Sequence, residues 1–170
     1  MLRKTTKYSG RLFPKYSLGT LCYLERNGDV LVVSKRISAD SDIETVNLPG
    51  GKVEYGETPS SCAIRELREE TGLTALRVNL KGIVTVAGAQ LYGLRQGSWC
   101  LFLYEVETWS GNLAPENGCT ATWEDKILVP SLLPNQADRH IFEFLGKPHK
   151  FEGRVDYRCK PPLIEFVEYP

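Results

Sequence analysis

The segment from Leu48 to Gly72 constrains this chain more than any other. Leu48-Pro49-Gly50-Gly51 interrupts regular structure, and a helix with marked ends follows it. Thr58 can cap it, Pro59 suits the first helical position, and Gly72 supplies a left-handed stop, which predicts a helix over Pro59–Thr71. Ala63, Ile64, Leu67 and Thr71 recur at helical spacing and give that helix a core-facing side.

On another side of the same helix, Glu66, Glu69 and Glu70 stand at i, i+3 and i+4, within about one third of the circumference. Like charges so placed repel, and a solvated helix gains more from interleaved lysines. Taken alone, the stripe is also what an exposed acidic helix carries. It has a chemical purpose if a divalent cation sits among the carboxylates, because hard cations choose oxygen ligands and bridge to substrate phosphates. Arg65, four residues before Glu69, can brace that carboxylate.

Around this helix the chain reads as alternating strands and turns. Ser17–Leu24 and Val30–Val33 flank an Asn27-Gly28-Asp29 turn, a hairpin signal because Asn and Gly tolerate positive φ. Ile37–Ile43 is polar and reads as a loop. Strands are expected over Leu76–Val86, Ser98–Val106, Lys126–Val129, Phe151–Tyr157 and Leu163–Tyr169, and a second helix over Gln136–Leu145. Hairpins with only two helices indicate an α+β domain built on a mixed sheet. The expected organisation is an N-terminal arm over residues 1–15 and a single domain over residues 16–170.

Twenty-one Lys plus Arg balance 21 Asp plus Glu, so the chain lacks the basic excess of proteins that grip a nucleic-acid polymer. No apolar run is long enough to span a bilayer, and no signal peptide is visible. Five cysteines without a C-x-x-C pair suit reduced thiols rather than a disulfide frame or a zinc site, and a cytoplasmic location is expected.

From Gly51 to Leu73 the chain reads G-x5-E-x7-R-E-L-x-E-E-x-G-L, which resembles the Nudix box at every fixed position. The resemblance implies a Nudix hydrolase: a mixed sheet sandwiched between helices (α/β/α), acting on a nucleoside diphosphate linked to a further group X. It implies Glu66, Glu69 and Glu70 as ligands of magnesium, with manganese as the alternative metal, joined by the carbonyl of Gly50. Glu57 and Arg65 would hold the helix and its carboxylates, and Glu69 or Glu70 would serve as base. The chemistry agrees, since attack on a pyrophosphate needs charge neutralisation and an activated water. A further acid beyond the box is expected at Glu124 or Asp125.

The substrate is less determined. The chain lacks the proline past the box that ADP-ribose hydrolases carry and the upstream motif of coenzyme A hydrolases, while Tyr92 keeps a dinucleoside polyphosphate open. Leu133-Pro134-Asn135-Gln136, the following aromatic helix and Lys150–Val155 resemble the tail of oxidised-purine nucleoside triphosphate diphosphatases. By that resemblance Asn135 and Gln136 would read the base edge, although Asn135 also suits a helix cap. Arg36 and Lys52 are candidate phosphate contacts, and Trp99 and Trp123 candidate stacking partners. His140 and His149 have no partner spacing. The expected activity is release of a nucleoside monophosphate and pyrophosphate from a free nucleotide. A nucleotide sugar, or nucleotide sensing without turnover, is the alternative. The expected partner is a small-molecule nucleotide, with no membrane and with a homodimer left open.

Overall fold

The computed structural model describes residues 15–36, 44–89, 97–116 and 118–170. The arm expected over 1–15 lies almost wholly outside them, as do the loop expected over Ile37–Ile43 and the candidate Tyr92.

Two sheets share the core. The larger is mixed and takes the order β1 (Ser17–Tyr23), β6 (Gly97–Ser110), β5 (Thr74–Ala89), β8 (Lys150–Asp156), β9 (Leu163–Tyr169). Its β1–β6 and β5–β8 pairs are parallel, whereas the long β5–β6 hairpin and β8–β9 are antiparallel. In the smaller sheet β3 (Asp29–Arg36) is central, with β7 (Thr120–Asp125) along one edge and both β2 (Glu25–Arg26) and β4 (Glu44–Asn47) pairing with it as well. The expected Asn-Gly turn joins β2 to β3, with Asn27 at φ 52° and Gly28 at φ 90°.

Helix α1 (Pro59–Thr71) covers one core cluster, where Ala63 and Leu67 meet Cys22, Leu24, Leu31 and Tyr104. Helix α3 (Gln136–Leu145) covers the other, where Ala137, Ile141, Phe142 and Leu145 meet Val30, Val32, Val84, Leu103 and Phe151. Alternation along β1 and β3 sends successive side chains to the two clusters, so the sheets lie between the helices. This is the expected α/β/α arrangement.

The expected strand Lys126–Val129 is not one. The Asp125 carboxylate accepts the Ile127 N–H at 2.9 Å, the Leu128 N–H bonds the Asp125 carbonyl at 2.8 Å, and the chain turns into the short helix α2 (Val129–Leu132), which carries Pro130 in its first turn. The apolar run reflects exposed side chains, Ile127 at 84% and Leu128 at 56%, rather than a buried strand. No helix among the described residues is long and apolar enough to cross a membrane.

Candidate active site

The box loop is laid along the outer edge of β1. Cys22 and Thr20 donate their N–H groups to the carbonyls of Pro49 and Gly51 at 2.7 and 2.8 Å, and Val53 N–H donates to Leu18 O at 3.1 Å. The Gly50 carbonyl between them accepts no hydrogen bond among the described residues. Both glycines are required by close approach. A Cβ on Gly50 would lie 2.1 Å from the Thr20 carbonyl oxygen, and one on Gly51 would lie 2.2 Å from the Glu66 carboxyl.

Helix α1 presents its glutamates to that loop. Thr58 caps it, accepting the Ser61 N–H at 3.2 Å, and Gly72 ends it at φ 80°. Its last carbonyls are also satisfied: Arg68 O takes the Gly72 N–H, Glu69 O the Glu116 N–H at 2.8 Å, and Thr71 O the Ala114 N–H at 2.9 Å. A helix end so tied cannot fray, which fixes the last turn where Glu69 and Glu70 stand.

Arg65 organises the carboxylates. It grips Glu57 through Nε and Nη2 at 2.9 and 3.0 Å and donates Nη1 to Glu66 at 2.8 Å and Glu69 at 3.4 Å. Its Nη2 also reaches the Lys52 carbonyl at 3.1 Å. The forked guanidinium, helped by the Glu54 N–H, holds the Glu57 carboxyl down at about 2. Glu70 faces the other way and accepts the Gly50 N–H at 2.9 Å. Burial, reinforced by Glu66 and Glu69, pushes the Glu70 carboxyl up to about 7 despite opposition from that N–H and Lys35.

Four carboxylates (Glu57, Glu66, Glu69, Glu70) thus face two cations, Arg65 and Lys35, and the residual negative charge suits a divalent ion. Among the described residues no three side chains already converge on one ion position, because Arg65 engages Glu66 and Glu69 while Gly50 engages Glu70. The donor chemistry is nonetheless that of a hard cation: carboxylates and one unengaged carbonyl. Burial raises the pKa of the neighbouring Cys119 thiol, so it stays protonated and is a poor ligand.

Other candidates are sorted by their positions. Leu31 and Lys35 share a face of β3 toward α1, so Lys35 is the strand-end cation that bears on Glu70, while the exposed Arg36 lies on the opposite face. Lys52 lies over the Trp99 ring, 5.5 Å from its centroid, and Trp99 is half-buried beside Gly19 and the box loop. Trp123 instead packs 5.7 Å from Trp109 beneath Arg26, as part of the core rim. Glu124 and Asp125 end β7 roughly 15 Å along the strand from Cys119, and Asp125 is spent on its turn. Glu116 is the acid that its loop brings against α1, through the N–H bond to Glu69 O. Only the Gly- and Pro-containing turn before β7 hinted at it.

Asn135 caps α3, and its amide is heavily engaged. Oδ1 accepts the Asp138 N–H at 3.0 Å and the Tyr157 hydroxyl at 3.1 Å, while Nδ2 donates to Asp138 Oδ2 at 2.5 Å. Gln136 is exposed and turns to an outer groove with Lys126, Ile127, Pro130 and Arg139, which contains no box residue. His140 is 3.8 Å from Glu143, and His149 is exposed on the turn before β8.

A glutamate-lined helix under a glycine loop, on a mixed sheet between helices, defines a hydrolase of phosphoanhydride bonds. The NUDIX domain model matches residues 15–143, and the chain belongs to the NUDIX family. It is similar to the uncharacterised Nudix hydrolase YvcI of Bacillus subtilis, 30% identical over 128 residues that cover 71% of this chain and 75% of the relative. It is also similar to the 8-oxo-dGTP diphosphatase of Haemophilus influenzae, 28% identical over 127 residues, 71% of this chain and 85% of that one. Among solved structures, the mutator MutT protein of Bacillus halodurans superposes with a TM-score of 0.71 at 25% identity, covering 91% of this chain and 98% of the other.

Proposed function

We propose that this protein is a magnesium-dependent diphosphatase of oxidised-purine nucleoside triphosphates, releasing the monophosphate and pyrophosphate. The observation that carries the reading is the arrangement of Glu66, Glu69 and Glu70 against Gly50 and Gly51, tied by Arg65 and by the Gly50 N–H. The oxidised-purine class rests on two relatives named 8-oxo-dGTP diphosphatase, from Haemophilus influenzae and Escherichia coli, and on the resemblance of Leu133–Gln136 and the helix after it to the tail of such enzymes.

Glu66, Glu70 and the Gly50 carbonyl would hold the cation, and the Glu116 loop is tied to the same end of α1. Magnesium, when bound, supplies charge against the phosphate oxygens and acidifies water. Lys35 and Lys52 flank the cluster and attract the triphosphate. Arg65 keeps Glu66 and Glu69 extended toward the loop, and its two bonds to Glu57 stop it from swinging away. Glu69, bound only by the long Arg65 contact, accepts the proton of the attacking water. Trp99, beside Gly19 and the box loop, offers a ring on which the base would stack. Unpaired thiols at all five cysteines support a cytoplasmic setting.

The test is phosphate release, through coupled pyrophosphatase and phosphatase, from normal and oxidised triphosphates, nucleotide sugars, ADP-ribose and diadenosine polyphosphates with magnesium. A kcat/KM of at least ~10⁴ M⁻¹s⁻¹ confined to oxidised purine triphosphates is expected. Glu69→Gln should lower kcat by about 10²-fold or more with KM little changed. Turnover of the variant within a few fold of wild type would remove Glu69 from the mechanism, and turnover of another class would replace the substrate.

A further inference from the structure

Cys62 lies where the parts that hold the box carboxylates meet. It is fully buried, and its sulfur is 3.6 Å from Arg65 Nη2, 3.8 Å from the Gly51 carbonyl oxygen and 3.4 Å from the Thr20 hydroxyl. Arg65 is the cation that grips Glu66 and Glu69, and the missing Cβ of Gly51 leaves room for the Glu66 carboxyl. Thr20 belongs to β1 and donates its N–H to the same Gly51 carbonyl at 2.8 Å. Cys22, on the same face of β1, gives its S–H to the Ala63 carbonyl at 3.5 Å, so strand and helix are tied beside this contact.

Hydrogen-bonding capacity fixes what the sulfur does. A guanidinium only donates and a carbonyl only accepts, so the sulfur accepts from Arg65, and its one proton goes to Gly51 or Thr20. Burial raises the thiol's pKa and keeps that proton in place. The sulfur is also the partner that the described residues offer to the buried Thr20 hydroxyl.

On Arg65, Nε and one Nη2 proton take the Glu57 carboxylate, and Nη1 faces Glu66 and Glu69. The remaining Nη2 proton is shared by the Lys52 carbonyl at 3.1 Å and by the sulfur. The three carboxylates keep some exposure, and the Lys52 carbonyl belongs to the box loop. The sulfur is the acceptor of this fork that stands in the packed interior, where it cannot follow the guanidinium outward.

We propose that Cys62 is a positioning residue: its sulfur anchors the inner edge of the Arg65 guanidinium to β1, and so sets where Glu66 and Glu69 stand over the box loop. The inference rests on those carboxylates serving the hydrolysis proposed above.

The experiment compares wild type, Cys62→Ala and the double variant Thr20→Val/Cys62→Ala on the triphosphate of the panel that wild type turns over fastest. Cys62→Ala should lower kcat by about 3- to 10-fold with KM little changed, as the loss of one weak hydrogen bond to a charged group implies. It should also lower the urea midpoint, because the Thr20 hydroxyl is left buried without a partner. Thr20→Val/Cys62→Ala removes both polar partners and should recover at least half of the lost midpoint while kcat stays low. A kcat that returns together with the midpoint would show that Cys62 acts through stability alone, and overturns the proposal. So does a Cys62→Ala variant with kcat within twofold of wild type. A second readout needs neither substrate nor metal: by NMR of the metal-free protein, the Arg65 Nε–H should exchange with solvent several-fold faster in the double variant. Equal exchange overturns the anchoring, whereas a wild type that hydrolyses nothing in the panel overturns the proposed function and leaves the exchange comparison to decide on Cys62.

Discussion

A methyl group added to Gly51 would sit 2.2 Å from the Glu66 carboxyl, in a place Arg65 gives that carboxylate no freedom to leave. Glu66 would have to move by more than an ångström or give up its 2.8 Å bond to Arg65. Displacements of that size at a reacting centre cost on the order of 10²-fold in rate. Gly51→Ala should therefore lower kcat by about 100-fold while the denaturation midpoint in urea moves little, because the clash falls on the end of one side chain and not on backbone or the apolar core. A variant with near-normal kcat would show that the Glu66 position does not control turnover. The same residue-scale logic explains why Arg65 cannot be exchanged for lysine at low cost. Its planar fork serves Glu57, Glu66, Glu69 and the Lys52 carbonyl together, which one ammonium cannot do.

At the scale of elements, α1 depends on both of its ends. Removing the Thr58 hydroxyl leaves the Ser61 N–H without its acceptor, and Thr58→Ala should cost about 1 kcal/mol in urea unfolding. No loss would mean that Ser60 and Ser61 replace the cap from within the first turn. This helix was wholly legible in the sequence, as was α3, because Thr58, Asn135 and Gly72 are local signals that act through the backbone beside them. The Asn-Gly hairpin was legible for the same reason. The strands β4 and β7 were not: Glu44–Asn47 is too short to show alternation, and Thr120–Asp125 earns its place by pairing with β3 across more than 80 residues of chain. That pairing also decides where the acids of this stretch fall. From sequence, Glu124 and Asp125 were the natural candidates for a further ligand, yet the strand carries them away from α1 while the turn before it brings Glu116 against Glu69. Lys35 was overlooked in favour of Arg36 because a one-residue step along a strand reverses the face, and the register is a tertiary fact.

Over the whole molecule, the carboxyl groups divide into two sets whose effects on stability oppose each other. Glu57 is held at about 2 by Arg65, and Asp156 well below the usual range by Arg158, so the stability they contribute is present above the ordinary carboxylate range and is lost as the pH falls toward 2. Asp138 behaves in the reverse sense. Burial between α3 and the end of β8 raises it from 3.8 to about 6, so between those values the folded chain binds more protons than the unfolded one. Its contribution is fully favourable below 3.8 and declines as the pH rises to about 6. Asp138→Asn keeps an acceptor for the Asn135 Nδ2 and removes the titration. In urea unfolding at pH 7 without added metal, the variant should gain about 1–2 kcal/mol relative to its difference from wild type at pH 4, a value reduced from the full shift to allow for partial exposure. A difference equal at the two pH values would show that the Asp138 carboxyl titrates alike in the folded and unfolded chains, and that its burial on α3 does not favour the neutral acid.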